Sequence, residues 1–249
     1  MSLKYLFLIS LHYLPASAHA VTCSADEYHV RSHFRNSYTR SDGTFIRATQ
    51  VTAHCRKRSL GADYFLKMVR DGRPPHWPHN VEAVNRWSDA DKEQVIEALE
   101  GLPEELLSNN ITGIYRMRKS KDHPNPASNG GRMIVLYDTA FSSKIGTQRI
   151  MAHELIHQVY VDLPERERQD YRRAAGWALE METDGNLYYY GRKTGYVEED
   201  GKISPEEDYA NNMEYFIFSP DKLKTITPNA YGWFSKKYGE KLKLKGNKK

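Results

Sequence analysis

Apolar residues recur every four positions in one segment of the chain, and this repeat restricts the fold more than any other sequence feature. The repeat consists of Met151, Leu155 and Val159, with Ala152, Ile156 and Leu163 beside it. It predicts an amphipathic helix whose apolar side faces a core. We predict that the helix runs from Gln148 to Leu163, because Thr147 can serve as its N-cap and Pro164 cannot continue it.

The same helix carries an HExxH motif, His153-Glu154-Leu155-Ile156-His157. The two histidines are one helical turn apart, so both imidazoles project from one face and can bind a single zinc ion. Glu154 lies beside them, placed to accept a proton from zinc-bound water rather than to bind the metal. The alternative is two surface histidines beside a solvated glutamate, which fits the apolar stretch at residues 150–156 less well.

A catalytic zinc ion needs a third protein ligand and an open position for water. Two glutamates after the motif are candidates. Glu180 comes 23 residues after His157, but a turn signal at residues 183–186 and a tyrosine-rich strand follow it. Glu207 comes 50 residues after His157, where the pair Ser204-Pro205 opens a helix. We favour Glu207, and Glu180 is the alternative.

The first twenty residues have the order of segments that is typical of a secretory signal peptide. Lys4 gives a positive start, residues 5–13 form a short apolar run, and Ala18-His19-Ala20 provides a cleavage site. A buried N-terminal strand or helix is the alternative. Neither this run nor a later segment is long enough to span a bilayer. We expect a secreted or periplasmic protein, cleaved after Ala20, with no stable membrane insertion.

Cys23 and Cys55 are the only two cysteines, and both follow the predicted signal peptide. In an oxidising compartment, a disulfide between them is expected to close a loop of about thirty residues. Two unrelated buried thiols are the alternative.

The net charge of the chain, +4, is small. It is spread along the sequence except for a basic tail at residues 241–249. Because no concentrated basic stripe accompanies it, a nucleic-acid partner is not expected.

Turn and proline signals divide the rest of the chain into two parts. Residues 21–75 are predicted to form a small N-terminal β segment, with a turn at Ser41-Asp42-Gly43. A proline-rich break at residues 73–78 ends this segment, and residues 76–249 form the second part.

The second part is predicted to have an α+β fold. A small mixed sheet packs on the HExxH helix and on a second, ligand-bearing helix. The expected strands are residues 111–117 and 132–138, separated by a loop at residues 119–131; the expected helices, besides the HExxH helix, are residues 88–99, 205–217 and 228–238.

The order of motifs after residue 88 resembles a known family. HELIH is followed by Ala175-Gly176-Trp177, by a tyrosine, and by the segment EEDYANNMEYF at residues 206–216. This order is similar to that of the gluzincin-type zinc peptidases grouped with the catalytic domain of anthrax lethal factor, over roughly residues 88 to 240. The resemblance implies one zinc ion with His153, His157 and Glu207 as ligands and Glu154 as general base.

The resemblance also implies a tyrosine that donates to the developing oxyanion. Tyr196 is the closest match, with Tyr188, Tyr189 and Tyr190 as rivals. At one position the chain departs from the family. Where the family has an acid that accepts a hydrogen bond from a zinc-bound histidine, this chain has Asn211, which is uncharged and predicts a less basic imidazole.

We therefore expect an exported zinc metallopeptidase that hydrolyses a peptide or protein substrate through a zinc-activated water. A peptidoglycan-directed zinc amidase or endopeptidase, acting on a cell-wall peptide, is one alternative. A non-catalytic zinc-binding interaction module is another. The presence of Glu154 argues against the second, because a purely structural zinc site has no use for a general base.

Overall fold

The computed structural model describes residues 21–35, 37–39, 45–77, 83–107, 110–118, 125–183 and 186–244. The predicted signal peptide at residues 1–20 and the predicted turn at residues 41–43 lie outside these ranges.

The described residues contain eight α-helices and eleven short strands. The helices are α1 (Leu60–Met68), α2 (Asp89–Glu100), α3 (Glu104–Leu107), α4 (Lys144–Asp162), α5 (Glu165–Ala174), α6 (Pro205–Phe218), α7 (Pro220–Ile226) and α8 (Pro228–Lys237). The strands are β1 (Glu27–Val30), β2 (His33–Arg35), β3 (Tyr38–Thr39), β4 (Phe45–Ile46), β5 (Thr49–Val51), β6 (His54–Lys57), β7 (Gly113–Arg116), β8 (Ala127–Gly130), β9 (Met133–Leu136), β10 (Ala178–Thr183) and β11 (Asn186–Tyr190). The fold is α+β, as the sequence predicts.

The central sheet has three strands in the order β7-β9-β8 and is mixed. Strand β7 runs parallel to β9, and β8 runs antiparallel to it. The two predicted strands are confirmed as β7 and β9. The prediction of a loop at residues 119–131 is wrong for Ala127–Gly130, which form β8. Its asparagine and glycine favour a turn locally, but pairing with β9 satisfies the backbone groups on one side of the strand and holds it extended.

The N-terminal segment consists of three two-stranded antiparallel pairs, β1-β6, β2-β5 and β3-β4. Cys23 and Cys55 form the predicted disulfide, with a Cα–Cα distance of 5.5 Å. The segment also contains helix α1, where the sequence predicts only β structure. Ser59 caps α1, and its Phe65 is fully buried in the same core as α2.

Helix α4 packs against both α2 and α6. Its predicted apolar face is confirmed, because most of that face is buried and Val159 packs half-buried against the core: the buried members are Met151, Ala152, Leu155, Ile156 and Leu163. The helix therefore holds the HExxH motif on a rigid, core-packed element.

The predicted start of this helix is wrong by one turn. Ser143, not Thr147, is the N-cap, and its hydroxyl accepts a hydrogen bond from the backbone nitrogen of Gly146. Thr147 is buried inside the first turns, where its hydroxyl donates to the carbonyl oxygens of Ala140 and Ser143. Threonine can satisfy its hydroxyl in this way within a helix, so a threonine alone does not mark a helix start.

The other predicted helices are confirmed in α2, α6 and α8. Ser88 caps α2 and Ser204 caps α6, each through its side-chain oxygen. Helix α7, which the sequence analysis does not predict, connects α6 to α8. Across the described residues, none of the helices combines the length and the apolar composition that crossing a bilayer requires.

Candidate metal centre and active site

Helix α4 places His153 and His157 side by side. Their Nε2 atoms are 3.2 Å apart, and their rings are nearly perpendicular with centroids 4.9 Å apart. His157 is buried and His153 is half-buried, so both rings are fixed by their surroundings. The one-turn spacing of the motif thus produces the convergence that the sequence predicts.

Helix α6 brings Glu207 to the same point. Its Oε2 lies 3.5 Å from Nε2 of His153 and 3.6 Å from Nε2 of His157. Ser204 holds the start of α6 by accepting a hydrogen bond from the backbone nitrogen of Glu207. His153, His157 and Glu207 form a group that could hold a metal ion. The alternative ligand, Glu180, belongs to β10, and its side chain lies outside what the structure describes.

Glu154 is buried beside this group. Burial raises the pKa of its carboxyl, although the nearby His153 and His157 act in the opposite direction. Its Oε2 is buried and has no hydrogen-bond partner among the described residues, although the side chain lines the cleft that holds the histidines. A buried carboxylate oxygen without a partner is costly, which is typical of a group whose partner belongs to a bound water or substrate.

The group lies in a cleft of about 920 Å³. One wall includes β8, where Asn129 donates through Nδ2 to the backbone carbonyl of Glu154 over 2.9 Å. Gln158 donates to Oδ1 of Asn129 over 2.8 Å. Both the nitrogen and the oxygen of the Asn129 side-chain amide therefore bond to α4, which ties this wall to the helix. Residues 198–200 also line the cleft and form an acidic wall, where Tyr215 donates its hydroxyl to Glu198.

Each ring also has a carboxylate near its other nitrogen. Oε1 of Glu206 is 3.0 Å from Nδ1 of His157. Oε2 of Glu214 is 3.3 Å from Nδ1 of His153, and Arg149 pairs with Oε1 of Glu214 over 2.6 Å. Burial lowers the pKa of His153, but hydrogen bonds with Glu207 and Glu214 outweigh it and raise that pKa to about 10.

Asn211 stands where the family pattern has an acid, but its side chain bonds to an acidic residue of the cleft rather than to a histidine. Its Nδ2 donates to Oδ1 of Asp200 over 2.6 Å, so the side chain braces the acidic wall instead. The prediction that an uncharged Asn211 stands behind a zinc-bound histidine and leaves its imidazole less basic is therefore wrong. The residues beside the histidines are Glu206 and Glu214, which the sequence analysis does not identify; their only sequence signal is their position on the helix that carries Glu207.

Tyr196 is not among the described residues that line the cleft. Its ring packs against Trp177, with centroids 6.1 Å apart, and the guanidinium of Arg192 lies 4.1 Å from its centroid. Its hydroxyl lies against Gly191, in the space that a Cβ there would need. The structure thus brings together four of the five predicted site residues and leaves Tyr196 outside. Of the rivals, Tyr189 lies under Arg172, and the side chains of Tyr188 and Tyr190 are outside what the structure describes.

A buried ion pair behind Glu207 also escapes the sequence analysis. Asp208 is fully buried and accepts two hydrogen bonds from Arg192, over 2.9 and 3.0 Å. It also accepts hydrogen bonds from the hydroxyl of Tyr171 and from Nε1 of Trp177. This network ties the start of α6, and with it Glu207, to α5 and to the segments that flank the β10–β11 hairpin.

No family model matches the chain, and neither a curated protein nor a solved structure does. The resemblance to the group of anthrax lethal factor therefore stays a prediction from the motifs. What the site can do has to be argued from its own geometry.

Proposed function

We propose that the chain is an exported zinc-dependent metallopeptidase whose zinc ligands are His153, His157 and Glu207. The spacing of the three donor atoms is the observation that carries this proposal. Zinc–nitrogen and zinc–oxygen bonds of about 2.0–2.2 Å in a tetrahedron put neighbouring donors about 3.3–3.5 Å apart. The three donor–donor distances here are 3.2, 3.5 and 3.6 Å. Two imidazoles and one carboxylate also form the donor set of catalytic rather than structural zinc.

A zinc ion held by these residues would activate a water molecule and polarise a substrate carbonyl. Glu154 performs the proton transfers. Its buried carboxylate accepts the proton of the attacking water at Oε2 and then donates it to the nitrogen of the leaving amine. The raised pKa of Glu154 suits this role, since the group must hold a proton between the two steps.

Strand β8 is suited to hold the substrate backbone. It is the terminal strand in the sheet order β7-β9-β8, and part of it lines the cleft. An extended peptide can add to such an edge by main-chain hydrogen bonds. The bond between Asn129 and the carbonyl of Glu154 would then set the distance between the substrate backbone and the general base.

Export is part of the same proposal. Disulfides persist in oxidising compartments, so the Cys23–Cys55 bridge supports a secreted or periplasmic location. The signal-like segment at residues 1–20, with cleavage after Ala20, would bring the chain there.

The test is to measure metal content and hydrolysis in one preparation. The purified protein is analysed for bound zinc and incubated with a mixture of unrelated peptides and, in parallel, with peptidoglycan. We expect one zinc ion per chain and peptide cleavage that a chelator abolishes and added zinc restores. Cleavage of peptidoglycan alone would replace the substrate in the proposal, and bound zinc with neither activity would contradict peptidase function.

A further inference from the structure

Basic and acidic side chains alternate along the contact between α4 and α6. The order is Arg149, Glu214, His153, Glu207, His157 and Glu206, and each neighbouring pair is within 3.6 Å. On α4 the basic groups are spaced by four residues. On α6 Glu207 and Glu214 are seven residues apart, so they lie on one face two turns apart. Each histidine therefore lies between two carboxylates.

We propose that Glu206 and Glu214 are positioning residues that orient His157 and His153 for the metal and supply the charge that Asn211 lacks. The inference rests on the proposed zinc site but not on peptide hydrolysis. It assigns to two residues on α6 a role that the family pattern gives to the residue at Asn211.

The contact of Glu206 fixes the tautomer of His157. A carboxylate 3.0 Å from Nδ1 requires that nitrogen to carry a proton, because both atoms would otherwise be acceptors. In neutral imidazole, Nε2 then carries the lone pair that is available to a metal ion. That is the atom that points to His153 and Glu207. Glu206 thus presents the metal-binding nitrogen of His157 in the required form.

Glu214 does the same for His153 from a more rigid position. Its side chain is 12 % exposed, and Arg149 holds Oε1 through both Nε and Nη2 over 2.6 Å. Oε2 is left 3.3 Å from Nδ1 of His153. Because Arg149 precedes His153 by one turn on α4, the same helix carries the ligand and the residue that holds its carboxylate partner in place.

A rival explanation is that acids in the cleft attract a cation without contacting the histidines. A variant of Glu199 distinguishes this general field effect from the proposed positioning role. The side chain of Glu199 lines the same cleft, is 89 % exposed and pairs with Lys202. Replacing it removes the same charge from the same cleft without touching a histidine. A general field effect predicts similar losses for Glu199, Glu206 and Glu214, whereas positioning predicts losses for the last two alone.

The experiment measures the affinity of the full-length protein for Zn²⁺ alone, by competition with a chromophoric chelator. We expect Glu206→Gln and Glu214→Gln each to weaken binding by about 10- to 100-fold. The control Glu199→Gln should stay within about threefold of the parent protein. Equal losses in all three variants, or no loss in the first two, would overturn the inference. A parent protein that binds no zinc would overturn the proposed function as well.

Since Glu214→Gln also removes the partner of Arg149 and can disturb the fold, a second readout accompanies it. Ring-nitrogen NMR of the zinc-loaded parent protein should show Nδ1 protonated and Nε2 metal-bound in both histidines. In Glu206→Gln, whose side chain is half exposed in the parent, the Nδ1 signal of His157 should shift while that of His153 stays. Metal on Nδ1, or an unchanged His157 signal, would refute the assignment.

Discussion

Arg192 forms a two-point ion pair with Asp208, the fully buried residue that follows Glu207 in the sequence. Its guanidinium also donates to the carbonyl oxygens of Ala175 and Gly195. One cation thus ties the start of α6 to the segment that precedes the acidic wall of the cleft. The pair thus anchors the helix start that carries Glu207, although neither of its residues belongs to the group that could hold a metal ion.

Removing Arg192 should destabilise the whole protein. Arg192→Met leaves the carboxylate of Asp208 buried without its cation, and such a loss costs about 3–5 kcal/mol. Denaturant unfolding of the metal-free protein measures it. Arg173→Met is the matched control, because Arg173 is 75 % exposed and its pair with Asp170 is on the surface, where a pair contributes little. Equal stabilities of the two variants would refute the structural role of the buried pair.

The choice between Glu207 and Glu180 as third ligand can be decided by zinc affinity. Loss of a ligand should exceed the loss of about 10- to 100-fold that is typical of a residue behind a ligand. We therefore expect Glu207→Ala to weaken Zn²⁺ binding by more than about 100-fold and Glu180→Ala to leave it unchanged. The reverse result would move the third ligand from α6 to β10.

Metal binding should release a proton from His153. Its pKa in the metal-free protein is raised to about 10 from 6.5, so the ring is protonated at neutral pH. Because the pKa is higher in the folded protein, protonation of His153 stabilises the metal-free fold. This stabilisation is complete below pH 6.5 and is lost as the pH rises through about 10. Zinc must displace the proton, so affinity should increase from pH 6 to 9. Calorimetry in buffers of different ionisation enthalpy counts the protons, and zero protons released at pH 7.5 would contradict this pKa.

The disulfide should stabilise the fold without acting on the metal centre. It joins residues 32 apart in the sequence, and a loop of that length corresponds to about 3–4 kcal/mol on the chain-entropy model. Replacing Cys23 and Cys55 together by alanine should lower the free energy of unfolding by that amount. Zinc affinity should not change, since the bridge lies in the N-terminal segment. A loss of affinity in the folded variant would show that this segment supports the centre.

The helices of the site could be predicted because their signals are local. The apolar repeat around His153 and the Ser204-Pro205 start of α6 each specify a helix within one segment of chain. Two histidines one turn apart on a helix project from the same face without any contribution from distant segments. Glu207 lies in the first turn of a helix that the sequence predicts, but its contact with the histidines depends on how α6 packs against α4.

The rest of the site depends on contacts between distant segments. The sequence around β8 predicts a loop, and only pairing with β9 makes it a strand. Tyr196 lies close to Glu207 in the sequence, but its ring packs in an aromatic contact with Trp177. The carboxylates of Glu206 and Glu214 lie near the Nδ1 atoms of the two histidines because α6 packs against α4 at a particular rotation about its axis. A local sequence pattern does not predict that rotation.

The most direct test of the account is Glu154→Gln, measured for bound zinc and for peptide cleavage in the same preparation. Glutamine keeps the shape of the buried side chain but cannot accept the proton of the attacking water. We predict that zinc remains bound at one ion per chain while cleavage falls by about 10²–10⁴-fold, the usual contribution of a general base. Cleavage at the parent rate with zinc bound would contradict the central claim that this motif is the catalytic centre.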